Sequence, residues 1–489
     1  MIMLLQTSAF LLSALTTTTT AINLQKRPDG PPRVVEQSIQ RKHVSDPIAH
    51  DKKRWNNRRR QSDDDSIVRV ELDNERTLYF MEMAIGTPPQ EMRLHIDTGS
   101  SDLWVNVEDS ELCQDSRNIC SEAGTFNPSD SSTYEILEPS GFNITYVDGS
   151  GAAGPYVSDT VRFADASLQN QQFGIGDWSS SSEGVLGIGY PLNEVAVAYN
   201  GDEPYPNLPV SLVSQGYINT PSYSLWLNDL QASTGSILFG GVNSAKYEEP
   251  LLTVPVIPER GYYAEFIIAL TALGISGDST SLAADISLPV LLDSGTSLTY
   301  LPNDIAQEIF ALTNAEYSSD QSAAFVDCAL RNDPRTLDFT FSSPTIRVSM
   351  NELVFAAAID DFGRPVCILG IVPAGDSIAV LGDTFLRSAY VVYDLENNEI
   401  SLAQTNFNVT DLSDVQEITA SGVPNASAVG SDVVVTDVPT ESGGARVDTA
   451  PDSVGGIEGD ATSEDSGVPT AAPVWGMAAA AGVGVMWAL

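Results

Sequence analysis

Ile96-Asp97-Thr98-Gly99-Ser100-Ser101 returns in the second half of the chain as Leu292-Asp293-Ser294-Gly295-Thr296-Ser297. Apolar residues precede each copy. An apolar pair closed by glycine follows each one, Val185-Leu186-Gly187 and Val380-Leu381-Gly382. From aspartate to glycine the spacing is 90 residues in the first half and 89 in the second. A single Asp-[Ser/Thr]-Gly is an ordinary turn. Two of them with matched partners at nearly equal spacing are the mark of an internal duplication.

Around these turns, from about Thr77 to Phe407, apolar residues alternate or come in short runs. Leu78 to Ile85 and Met92, Leu94 and Ile96 are examples. Gly, Pro, Asn, Asp and Ser break the runs. That pattern predicts many short strands and an all-β fold. Helical periodicity is rare. Asn303 to Asn314 is one case, entered by Pro302, with Ile305, Ile309 and Leu312 on one face.

The chain has 489 residues, 24 Lys and Arg against 65 Asp and Glu, and a formal net charge of −41. Its length suits two to four units. With 42% hydrophobic residues it is globular, which excludes disorder throughout. The acidic excess excludes nucleic acid as a partner, because phosphate binding needs clustered cations. The charge is also divided unevenly. Between Ala21 and Gln61 eleven basic residues face four acidic ones. A basic segment therefore precedes a very acidic body, as expected of two pieces held together by charge and separated later.

Both ends look like addresses. Residues 1–21 read as a secretory signal peptide, with an apolar run from Ile2 to Leu15. Residues 22–60 form the basic segment, whose Lys26-Arg27, Arg41-Lys42, Lys52-Lys53-Arg54 and Arg58-Arg59-Arg60 look like processing sites. Residues 408–466, rich in Ser, Thr, Gly and Val, read as a solvated stalk. Residues 467–489 end in an apolar run from Val474 to Leu489 behind small residues and a polar spacer. That order predicts a glycosylphosphatidylinositol signal and attachment to a membrane through lipid. The sequons at Asn143, Asn408 and Asn425 fit a secretory route. Four cysteines, at 113, 120, 328 and 367, allow three pairings. Cys113–Cys120 and Cys328–Cys367 are favoured, since each pair stays within one half. No cysteine pair has zinc-site spacing, and no metal or cofactor is expected.

Ile85-Gly-Thr-Pro-Pro-Gln90, His95-Ile-Asp-Thr-Gly-Ser-Ser-Asp-Leu-Trp-Val105, Leu291-Leu-Asp-Ser-Gly-Thr-Ser297 and Val380-Leu-Gly-Asp-Thr-Phe-Leu386 resemble the pepsin family of aspartic endopeptidases. Together with the tail, they most resemble its yapsin-type anchored fungal branch. The resemblance implies a bilobal fold, with an N-terminal lobe over 61–225, a C-terminal lobe over 226–407, a cleft between them and a few short helices. It implies that Asp97 and Asp293 form a catalytic dyad. Thr98, Gly99, Ser100, Ser294, Gly295 and Thr296 would support that dyad, with the Ser100 and Thr296 hydroxyls orienting the outer carboxylate oxygens. Ser294 departs from the more usual threonine but keeps the hydroxyl.

The same resemblance makes Asn143 to Gly151 a flap, with Tyr146 as its tyrosine, Trp104 as that tyrosine's hydrogen-bond partner, and Asp148 and Gly149 near the tip. Val147 stands where glycine is more usual. A carboxylate at Asp148 would favour Lys or Arg beside the scissile bond, and the acidic body would steer basic substrates. The expected protein is a monomeric, acid-favoured endopeptidase of the cell surface. It would take protein or peptide substrates and use its own basic pro-segment as inhibitor. Two rival readings are a non-catalytic wall adhesin on the same fold and a glycosidase, which also uses paired carboxylates.

Overall fold

The computed structural model describes residues 33–41, 78–114, 119–146, 150–232, 234–276, 281–360, 362–375, 377–409 and 414–430. Fifteen strands position the site. In the first half they are β1 (Val35–Arg41), β2 (Tyr79–Ile85), β3 (Gln90–Asp97), β4 (Leu103–Asn106), β5 (Glu135–Thr145), β6 (Gly151–Phe163), β7 (Ala166–Gly176) and β8 (Val185–Gly187). In the second half they are β9 (Ser222–Trp226), β10 (Thr234–Phe239), β11 (Leu288–Leu292), β12 (Thr299–Leu301), β13 (Ala379–Leu381), β14 (Ala389–Asp394) and β15 (Glu399–Gln404).

The duplication seen in the sequence is a duplication of topology. In the first half β3 runs parallel to β8, with Asp97 opposite Gly187, and β4 returns antiparallel on the other side of β8. In the second half β11 runs parallel to β13, with Leu292 opposite Leu381, and β12 returns antiparallel beside β13. Each aspartate turn therefore ends one outer strand of such a trio. The glycine after the apolar pair is required by close approach. A Cβ on Gly187 would lie 2.6 Å from the amide nitrogens of Ser101 and Asp102, and one on Gly382 would strike the carbonyl of Thr296.

The lobes share one sheet. After two edge strands, Ala426–Ala428 and Leu251–Pro255, its order runs β15-β14-β9-β10-β1-β2-β3-β8-β4-β7-β6-β5, from the C-terminal to the N-terminal half. β1 lies inside the segment expected to be pro-peptide, and it fills the place between β10 and β2. Val35, Ile39 and Arg41 are its buried residues. Glu36 receives a hydrogen bond from the buried Lys246 at 2.8 Å, and the Arg41 guanidinium donates to the Leu230 carbonyl. The basic residues from Lys42 to Arg60 lie outside the described residues.

Asn303–Thr313 is helical, as the periodicity predicts, and Asn314 ends it with a left-handed φ of 52°. Its buried face carries Ile305, Ile309 and Phe310, and Leu312 is only half-buried. Both disulfides are the favoured ones, Cys113–Cys120 and Cys328–Cys367.

One boundary moves. The stretch from Asn408, expected to be solvated stalk, is folded at least in part. Val415–Glu417 pairs antiparallel with Gly241–Asn243, and Ala426–Ala428 adds a parallel strand beside Leu251–Pro255. Ile418 and Val429 are buried. Backbone pairing to two strand edges holds this segment, and it needs few apolar side chains to do so. The signal peptide and the anchor signal lie outside the described residues. Among the described residues no helix is long and apolar enough to cross a membrane.

Candidate active site

The two aspartate turns meet between the lobes. Asp97 and Asp293 are both fully buried. Each turn folds back on its own carboxylate: Gly99 N donates to Asp97 Oδ1 at 2.9 Å, and Gly295 N donates to Asp293 Oδ1 at 2.8 Å. Each glycine also abuts the opposite carboxylate. A Cβ on Gly99 would stand 2.7 Å from Asp293 Oδ1, and one on Gly295 would overlap Asp97 Oδ1. Only glycine leaves room for two carboxylates this close.

Hydroxyls clasp the turns across the dyad. Thr98 Oγ1 donates to the Leu292 carbonyl at 3.0 Å and accepts from Ser294 N at 2.9 Å. Ser294 Oγ does the same in reverse, donating to the Ile96 carbonyl at 3.0 Å and accepting from Thr98 N at 3.2 Å. Serine in place of threonine thus keeps the clasp. Below the first turn, Tyr223 Oη donates to the Ile188 carbonyl at 3.0 Å, and Ile188 N donates to the Asp97 carbonyl at 2.9 Å.

The outer oxygens are not treated alike. Thr296 Oγ1 donates to Asp293 Oδ2 at 2.5 Å, as expected. The Ser100 hydroxyl, given the same task at Asp97, is buried and has no hydrogen-bond partner among the described residues. Asp97 takes its turn contact through Oδ1 from Gly99 instead. Burial raises the Asp293 carboxyl well above the ordinary range, and the neighbouring Asp97 charge raises it further. The Thr296 hydroxyl and Gly295 amide oppose them. Two like charges this close in a buried site do not both ionise readily.

Beside the dyad, Trp104 Nε1 donates to Tyr146 Oη at 2.7 Å, the contact the resemblance implies. Both rings sit in a buried cluster with Phe142, Ile144 and Tyr156. Tyr146 is on the chain leaving β5, and β6 returns from Gly151, so the two antiparallel strands form a hairpin. Val147, Asp148 and Gly149, which follow Tyr146 in the sequence, lie outside the described residues. Of the sequons, Asn143 lies exposed on β5, Asn425 is exposed, and Asn408 is exposed with its Nδ2 donating to Asp229 Oδ2 at 2.5 Å.

Sequence reading passed over Tyr223 and Asp102. Asp102 stood inside a quoted motif, and its one signal was an acidic residue at the head of the apolar run Leu103-Trp104-Val105. Among the described residues no group of three or more His, Cys, Asp or Glu could hold a metal ion.

A family profile described as "Eukaryotic aspartyl protease" matches residues 78–405. The "Probable aspartic-type endopeptidase opsB" of Aspergillus oryzae is 48% identical over 472 residues, covering 95% of this chain and 92% of its own. "Aspartic proteinase yapsin-3" of Saccharomyces cerevisiae is 37% identical over 370 residues, covering 73% of this chain and 71% of its own. Among solved structures, the aspartic proteinase from Irpex lacteus aligns with a TM-score of 0.56 at 23% identity, over 68% of this chain and 96% of its own. At that identity the likeness speaks to the pepsin-like fold alone.

Proposed function

We propose, from the premise that the chain belongs to the eukaryotic aspartyl protease family and is an aspartic-type endopeptidase, that Asp97 and Asp293 are the groups that activate water in peptide hydrolysis. The observation that carries this is the pair of facing turns, each with its glycine against the other's carboxylate. The ionised member of the pair takes a proton from a water as that water attacks the scissile carbonyl. The protonated member donates to the carbonyl oxygen as charge develops there. The resulting tetrahedral diol collapses as a proton passes to the leaving amine. Burial strengthens each of these contacts by excluding bulk water. Tyr146, held by Trp104, closes the site from the flap side.

The mature enzyme is secreted and held at the cell surface by a lipid anchor added near the C-terminus, with glycans on Asn143, Asn408 or Asn425. What supports this is the order of the terminal segments and the likeness to yapsin-3. The basic segment acts as an inhibitor in cis. Strand β1 anchors it in the sheet between the lobes, and its later Lys and Arg residues neutralise the acidic cleft near pH 7. Acid, cleavage after Arg60, or both release it. The acidic body, with Asp148 at the flap tip, favours Lys or Arg at the cleavage point.

Matched peptides differing only in Lys or Leu at that point test the preference. Asp148→Ala lowers kcat/KM for the Lys peptide and spares the Leu peptide. An equal loss on both would remove Asp148 from specificity and leave the dyad untouched.

A further inference from the structure

Asp102 is fully buried one residue beyond the dyad turn. Its Oδ1 accepts the hydroxyls of Tyr156 at 2.6 Å and Tyr205 at 2.9 Å, and its Oδ2 accepts Val195 N at 2.8 Å. Its backbone carbonyl accepts Gly187 N at 3.0 Å, which fixes it to the strand trio of the N-terminal lobe. The three side-chain contacts come from two separate elements. Tyr156 lies on β6, the returning strand of the flap hairpin. Val195 and Tyr205 lie at either end of the segment that leads from Tyr190 to the helix Leu208–Ser214.

Trp104, two residues further along, holds the other strand of the hairpin through Tyr146. Residues two apart in an extended chain face the same way. Asp102 and Trp104 thus form two grips on one hairpin, one on each strand. The grips are also packed together. The Tyr156 ring lies 5.4 Å from Phe142 and 5.7 Å from Tyr205, and Phe142 lies 6.5 Å from Trp104.

We propose that Asp102 is a positioning residue for the flap: its ionised carboxylate ties the hairpin through Tyr156, and the 190–207 segment through Tyr205 and Val195, to the rigid turn that carries Asp97. Tyr146 then meets substrate in register with the dyad.

The chemistry of the surroundings favours an ionised acceptor. Every group that bonds to Asp102 through its side chain is a donor, and hydrogen bonds to a charged acceptor are about twice as strong as neutral ones. Protonation would place a fourth donor among them. The titratable groups that face it are Tyr156 on β6, and Tyr205 and Glu194 on the 190–207 segment. Burial keeps both phenols protonated. Glu194, whose Oε2 accepts Tyr205 N at 2.9 Å, is pushed up to about 10 by burial and then by Asp102, so it brings no second charge. Burial raises Asp102 itself, and the donors from Tyr156, Val195 and Tyr205 oppose that rise. Removing a donor therefore extends the protonated, loosened state to higher pH.

The proposal rests on the flap role given to Tyr146 above, so Tyr146→Phe is measured beside the test variants. Processed full-length enzyme is assayed on one quenched peptide from pH 3 to 7, with KM and kcat separated. Tyr156→Phe and Tyr205→Phe each remove one donor and keep the ring, and the second serves if the first does not fold. Tyr156→Phe cuts the tie to the hairpin itself, so KM rises roughly tenfold at every pH, about the worth of one hydrogen bond to a charge, while Tyr205→Phe leaves that tie and moves the acid-side rise in KM to higher pH, with kcat changing far less in both. Asp102→Asn, which cannot titrate, gives a raised KM without that acid limb. Unchanged KM in Tyr156→Phe, or an acid-side rise in Tyr205→Phe that begins where the wild type's does, would overturn the proposal if Tyr146→Phe is impaired. If Tyr146→Phe is fully active, the flap reading itself falls, and the proposal with it.

Discussion

Gly99→Ala tests the geometry of the dyad with one methyl group. The new Cβ would stand 2.7 Å from Asp293 Oδ1, 2.8 Å from Cγ and 3.0 Å from Oδ2. Ordinary contact begins at 3.4 Å, so the carboxylate or the turn must retreat by about 0.7 Å. Asp293 cannot swing freely, because Thr296 Oγ1 and Gly295 N hold its two oxygens. The strain falls on the separation of the two carboxylates. A misplacement of about 1 Å at reacting groups costs on the order of 10²-fold in rate. That is roughly 2.7 kcal/mol of activation free energy. Overpacking at a buried site costs roughly 1–3 kcal/mol of stability. The assay is kcat on a quenched peptide, with the unfolding midpoint measured on the same preparation. We expect a folded protein with kcat down about a hundredfold. A folded variant within threefold of wild type would refute the claim that these glycines exist to let the carboxylates meet.

Three further outcomes follow from particular contacts. Thr296→Val removes the donor that favours ionised Asp293. The acid limb of kcat/KM moves to higher pH and kcat drops roughly tenfold or more, read from a pH–rate profile. Glu352→Ala strips the buried Arg387 of its partner at 2.7 Å, and urea unfolding shows a loss of about 3–5 kcal/mol. Glu194 is raised from 4.5 to about 10, so folding favours its neutral form. That stability is complete below about pH 4.5 and declines as pH climbs toward 10, by up to ~1.4 kcal/mol per unit. Glu194→Gln flattens the slope in unfolding measured from pH 4 to 9.

The dyad was legible because its constraint is local and repeated. Gly99 and Gly295 must be glycine, Thr98 and Ser294 must carry hydroxyls, and the downstream Gly187 and Gly382 must pass close to the turns. These needs act on adjacent residues, so they survive as motifs at equal spacing. Trp104 and Tyr146 were legible only through the family resemblance. β1 was not legible. Its buried residues, Val35, Ile39 and Arg41, are spread through a polar strand, and its partner Thr234–Phe239 lies almost two hundred residues away. The folded segment after Asn408 was hidden for a related reason. It is bound by backbone pairing and by Ile418 and Val429, so its composition still reads as a stalk. Asp102 was hidden because its partners Tyr156, Val195 and Tyr205 are distant in sequence.

The central claim is that Asp97 and Asp293 perform the hydrolysis together. Its most direct test is cleavage of a peptide carrying Lys-Arg by processed wild type and by Asp293→Asn, from pH 3 to 7. An amide of nearly the same shape cannot take or share the proton. The account predicts acid-favoured cleavage by the wild type and a loss of at least about 10³-fold in the folded variant at every pH. Cleavage by Asp293→Asn at a rate near the wild type's would contradict it.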